Sequence, residues 1–133
     1  IMPRTARKLS KKLRIRYSRR GLTSRPDYNL VLGQTYLAGL IKNFGGSYVL
    51  GLAAYNAGPA RVRRWLRSIG DPRKGKGGNY MDTIDWIEMV PYGETRNYIQ
   101  RVLENLQIYR LRLAKTELAQ SLGDDLNRRN DGE

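Results

Sequence analysis

The sequence predicts a single all-α domain, and three observations carry that prediction. Its 133 residues, 40% of them hydrophobic, suffice for one modest core without metals or disulfides. Apolar residues recur three and four apart over most of the length, the period of a helix with one buried face. Neither a two-residue alternation long enough for a strand nor an internal repeat stands out.

Each helix has its own signals. MPRTARKLSKKLRIRY, residues 2–17, reads as the first: Pro3 suits the first turn, where no amide partner is needed, and Ala6, Leu9, Leu13 and Ile15 form the apolar stripe. SRRGLTSRP, residues 18–26, is expected as a loop broken at Gly21 and Pro26. From Asp27 a second helix carries Tyr28, Leu32, Tyr36 or Leu37, Leu40 and Phe44 at helical spacing, and Gly45-Gly46 ends it. SYVLGLAAYNAG, residues 47–58, is too apolar for a surface and predicts a buried third helix, whose glycine and alanines let neighbours approach closely. Gly58-Pro59 forces a turn. PARVRRWLRSIG then restarts as a helix with Val62, Trp65, Leu66 and Ile69 on one side and four arginines around the rest. DPRKGKGGNY, residues 71–80, is expected as a flexible basic loop, and DTIDWIEMV as a short helix closed by Pro91. The longest helix begins at Glu94, with Tyr98, Val102, Leu106, Tyr109 and Leu113 as its buried stripe; beyond about residue 116 the pattern weakens into a polar tail expected to be mobile.

Composition narrows the chemistry. With no cysteine and no histidine, zinc sites, thiol nucleophiles and histidine bases are excluded, so carboxylates, tyrosines, lysines and amides must supply any catalysis. No metal or other cofactor is implied. The net charge of +13 is uneven: residues 1–76 hold eighteen Lys/Arg against Asp27 and Asp71, about +16, while residues 77–133 hold seven against ten acids, about −3. Such a field attracts polyanions, whether nucleic acid, anionic lipid or acidic cell-wall polymer. No apolar run approaches the roughly 18 residues that span a bilayer.

The candidate site residues each admit a structural reading beside the functional one. Tyr55 and Asn56 end a very apolar helix just before a glycine-proline break. Such a pair can pack and cap locally, or a phenol and an amide can face a ligand from a cleft floor. Glu94 opens the last helix after VPYG, where the helix dipole favours an acid. Glu88 reads equally well as a surface acid, and Arg96 as the partner of a neighbouring acid.

Three stretches, taken in order, resemble a known family. IMPRTA is similar to the end of a Gly-Leu-Met-Gln-Ile/Leu-Met-Pro-x-Thr-Ala motif, LAAYNAGPARVRRW contains an Ala-Tyr-Asn-Ala-Gly signature, and IEMVPYGETRNYIQRV is similar to an Ile-Pro-x-x-Glu-Thr-Arg-x-Tyr-Val motif. Together they resemble the catalytic domain of the soluble lytic murein transglycosylases, relatives of goose-type lysozyme in fold. The resemblance implies a lysozyme-like domain over residues 1–115, lacking its first helices, and cleavage of the β-1,4 bond between N-acetylmuramic acid and N-acetylglucosamine with a 1,6-anhydro product. It implies that Met2 lines the cleft, Ala54 offers backbone contacts, Asn56 meets an N-acetyl group, Tyr55 orients the catalytic carboxylate and Glu94 binds substrate across the groove. The family's catalytic glutamate lies in a Glu-Ser motif about twenty residues before the position of Met2, which leads to the expectation that the chain alone is inactive. Peptidoglycan strands, and other cell-wall enzymes, are the implied partners, in a bacterial periplasm or envelope. Two other classes compete: a non-catalytic peptidoglycan-binding module, and a nucleic-acid-binding helical protein supported by charge alone, without a recognition-helix motif.

Overall fold

The computed structural model describes residues 2–75 and 77–131, with side chains through residue 126. Among them run seven α-helices: α1 Pro3–Lys12, α2 Arg19–Ser24, α3 Pro26–Asn43, α4 Tyr48–Ala57, α5 Pro59–Ser68, α6 Thr83–Met89 and α7 Gly93–Asp131. No strand occurs among the described residues; the one β-type contact is an isolated bridge between Asp71 and Tyr80. The chain divides into two compact units at Arg96 and Asn97.

In the first unit α3 packs on α4, α4 on α5, and both α1 and α2 on α3. Its core is built from Leu32 and Leu40 of α3 with Phe44 just after it, nearly all of α4 from Val49 to Ala54, and Val62, Trp65 and Leu66 of α5. The α3–α4 contact is close because Gly51 faces the backbone of Ile41: a Cβ at Gly51 would lie 3.1 Å from Ile41 Cα and 3.2 Å from its nitrogen. Trp65 meets Trp86 edge-on at 6.4 Å between ring centroids and Tyr92 at 5.4 Å. Trp86 is fully buried, and its indole N–H donates to the Gly70 carbonyl at 2.9 Å, so the polar end of this ring is paired.

The ends of α1 and α3 use the same device. After α3 the amide of Gly45 donates to the Lys42 carbonyl and that of Gly46 to Ile41, the paired bonds of a Schellman turn, with Gly45 at φ 70°. After α1 the amide of Arg14 donates to Lys11 and that of Ile15 to Ser10, with Arg14 at φ 56°. The first helix therefore stops at Lys12, five residues before the expected Tyr17, on a left-handed turn that no glycine announces. Residues 19–24, expected as loop, form α2, started by Ser18, whose hydroxyl accepts from the Gly21 amide. Tyr28 ties this region together: its hydroxyl lies 3.0 Å from Ser10 Oγ, accepts from the Ser18 amide at 3.0 Å and donates to the Arg16 carbonyl at 3.2 Å.

The basic loop is pinned at its described ends. The Asp71 amide donates to the Asn79 carbonyl and the Met81 amide to Asp71, while Asn79 Nδ2 donates to the Leu66 carbonyl. The buried Asp71 carboxylate accepts from the Arg73 backbone amide, Nε and Nη2 at 2.7 to 2.9 Å. That hydrogen-bonded carboxylate raises the Arg73 guanidinium above its ordinary pKa.

The second unit is the remainder of α7. Helix continues to Asp131, past residue 116 where the apolar pattern weakens. Tyr109 and Leu113, expected in a buried stripe, are 60% and 44% exposed; a lone helix offers no second layer of its own to cover them. No helix among the described residues is long and apolar enough to cross a membrane.

Candidate functional site

The α4–α5 break builds a cleft. Gly58 ends α4 and begins α5 at φ 97°, its amide donating to the Ala54 carbonyl at 2.9 Å, and Pro59 takes the first position of α5. This turn places Ala54, Tyr55, Asn56, Ala57 and Gly58 on a cavity of about 430 Å³ that Met2 and Thr5 at the α1 start and Tyr36 of α3 also line. Four of the five residues that the family resemblance assigns to the site, Met2, Ala54, Tyr55 and Asn56, thus line one cavity. Ala54 is buried, Tyr55 is half-buried, Asn56 is exposed, and Met2 is 72% exposed at the rim.

Tyr55 lies between two features of α3. Its ring meets Tyr36 at 5.8 Å between centroids, tilted by 45°, and its hydroxyl occupies the space over Gly33, where a Cβ would come within 3.2 Å of it. Asn56 is fixed from the first turn of α7: the buried Thr95 hydroxyl donates to Asn56 Oδ1 at 2.7 Å. That bond commits the amide oxygen and leaves Nδ2 as the group with hydrogens to give.

Glu94 is exposed and is not part of the cavity lining. Its neighbour Thr95 is hydrogen-bonded to the lining residue Asn56. Glu88 is exposed on α6. Arg96, expected to pair with an acid, donates from Nη1 to the Val90 carbonyl at 2.8 Å and so closes the turn before α7.

Thr5, Tyr36 and Thr95 are the site residues that sequence reasoning passed over. Tyr36 falls at a core position of the α3 stripe, and only the packing of α3 on α4 turns it toward Tyr55. Thr5 and Thr95 stand inside the two outer motifs, IMPRTA and ETR, and their place there was the available signal. Among the described residues the cavity lining offers a thioether, two phenols, one aliphatic hydroxyl, an amide and backbone groups, but no carboxyl. It suits a neutral, hydrogen-bonding ligand with an amide.

Comparison with known proteins agrees with the three ordered motifs. Residues 1–76 match the transglycosylase SLT domain, and residues 89–118 the soluble lytic transglycosylase helical domain. The soluble lytic murein transglycosylase of Escherichia coli (strain K12) is 37% identical over 111 residues, covering 83% of this chain and 16% of that protein. Its namesake in Salmonella typhimurium is 34% identical over 122 residues, 91% of this chain and 18% of that protein. A putative soluble lytic murein transglycosylase of Haemophilus influenzae is 29% identical over 103 residues, 77% of this chain and 16% of that protein. The chain thus spans less than a fifth of the length of these relatives. No solved structure matches. With the SLT domain matched over more than half of its residues and an all-helical architecture in keeping with that domain's lysozyme-like fold, the chain belongs to the transglycosylase SLT domain family.

Proposed function

We propose that the chain forms the glycan-binding cleft of a peptidoglycan lytic transglycosylase of the bacterial cell envelope. The observation that carries this reading is the convergence of Met2, Ala54, Tyr55 and Asn56 on one cavity. In it Asn56 Nδ2 donates to the carbonyl of an N-acetyl group, Tyr55 orients the catalytic carboxylate, Ala54 offers its backbone, Met2 covers the sugar from the rim, and Glu94 holds an adjoining part of the strand.

The bond cleaved is the β-1,4 link between N-acetylmuramic acid and N-acetylglucosamine. A carboxylic acid protonates the leaving oxygen as its bond to C1 breaks. The same group, now a carboxylate, takes the proton of the muramic acid C6 hydroxyl, whose oxygen closes onto C1 as a 1,6-anhydro ring. The acid ends as it began and no water is consumed, unlike the usual glycosidase with two carboxylates. Among the described residues the cavity lining holds no carboxyl, so in this proposal none of those lining side chains is the acid, and residues 1–133 by themselves are expected to bind glycan without cutting it.

Mass spectrometry of digested sacculi tests both parts. The proposed enzyme, with its acid in place, releases 1,6-anhydromuropeptides; products with reducing ends alone would mean a hydrolase. Residues 1–133 bind sacculi without releasing fragments; release that disappears in Glu94→Gln would make Glu94 the acid and overturn the assignment.

A further inference from the structure

Helix α7 carries two apolar stripes on opposite sides. With each residue turned about 100° from the last, Val102, Leu106, Tyr109 and Leu113 share one side, and Thr116, Glu117, Gln120 and Asp124 take that side over beyond Leu113. The second stripe opens as the first closes: Ile108, Leu111, Leu118, Leu122 and Leu126 fall within about 80° of one another on the other side. Earlier in the helix that side is polar, with Asn97, Arg101 and Glu104. The five side chains of the second stripe are 48% to 62% exposed. From Ile108 the steps run three, four, three, four through Leu111, Lys115, Leu118 and Leu122, the spacing of a coiled-coil seam with one lysine in it.

Charge decides what can lie against this stripe. The chain as a whole is +13, so two copies repel over most of their surface. The seam is an exception, because residues 105–126 hold Arg110, Arg112 and Lys115 against Glu117, Asp124 and Asp125 and are neutral. The bases stand at the start of the seam and two of the acids at its end. A parallel copy would set like charges side by side, whereas an antiparallel copy sets the acidic end of each helix against the basic end of the other.

We propose that α7 is a self-association surface: two copies of the chain pair antiparallel along residues 108–126. Leu111 of each copy meets Leu122 of the other, and Asp124 and Asp125 come beside Arg110 and Arg112 of the second copy. At 1.5 Å per residue the shared length is about 27 Å. Such a pair buries on the order of 1,000 Å², the lower end for a specific contact, and a lysine in the seam fixes register at a cost in stability. The expected Kd is about 10 µM.

Sedimentation equilibrium of the full 133-residue chain tests this, at about 0.15 M salt to limit the general repulsion. Leu118→Glu with Leu122→Glu, at exposed positions that the core does not use, should weaken pairing at least about thirtyfold. Asp124→Lys with Asp125→Lys, and Arg110→Glu with Arg112→Glu, should each weaken it about tenfold. An equimolar mixture of these two charge variants should regain the affinity of the unaltered chain, since each end then meets its complement. Charge variants that pair as tightly alone as mixed, or a leucine variant that still pairs, overturn the proposal. So does a chain that stays monomeric about twentyfold above the expected Kd, which would leave the stripe to a different occupant.

Discussion

Thr95 acts on the cleft through Asn56. A buried hydroxyl that donates to an exposed amide oxygen contributes little to folding, since water can replace it on the amide side, but in the proposed cleft it would select which face of the amide a glycan meets. Thr95→Val keeps the shape and removes the donor. The expected cost in stability is about 1 kcal/mol, and affinity for an N-acetylated glycan should fall about fivefold as the amide loses its fixed orientation. Thr95→Ser, which keeps the hydroxyl, should restore affinity. A merely structural role would give loss of stability in the valine variant with affinity unchanged, and titration alongside thermal melts separates the two.

At the level of helices, two glycines in α3 and α4 carry opposite expectations. Gly51 lets α4 rest on the backbone of Ile41, and a methyl there meets main-chain atoms that cannot swing aside. Gly51→Ala should cost about 3 kcal/mol, at the upper end for overpacking. Gly39, also inside a helix, has open space beside it, so Gly39→Ala should stabilise by about 0.5 to 1 kcal/mol through helix propensity. Urea denaturation of both variants checks the signs. The close approach at Gly51 was legible because small residues cluster in an otherwise apolar helix. The early end of α1 was not, because Arg14 takes the left-handed turn usually left to glycine. Nor was α2, because a six-residue helix has too few turns to show a period and its Gly21 reads as a breaker. The site divides the same way. Ala54, Tyr55 and Asn56 are neighbours in one motif and were visible there, whereas Tyr36 and Thr95 join them only through packing and a hydrogen bond spanning 39 positions.

Across the whole molecule, charge is the property that sequence states most directly. Most of the basic side chains behind the excess of about +16 in residues 1–76 are exposed on α1, on the α1–α2 linker with α2, and on α5. Not all of it is available to a partner: Arg61 lies 4.8 Å over the Tyr92 ring, Arg63 5.8 Å over Phe44, and Arg73 is bound to Asp71. What remains lies chiefly on α1 and on the linker with α2. A diffuse field of this kind should draw the chain to an acidic wall polymer over distances longer than any single contact, and salt should shorten that reach. The screening length is about 10 Å at 0.1 M and about 3 Å at 1 M, so retention on purified sacculi should fall steeply between those concentrations. Binding of a short, peptide-free glycan in the neutral cleft should hardly change over the same range. Pre-treating the sacculi with nuclease should leave retention unaltered; loss of retention on nuclease treatment would assign the basic surface to contaminating nucleic acid instead, and retention independent of salt would remove the electrostatic account of wall binding altogether.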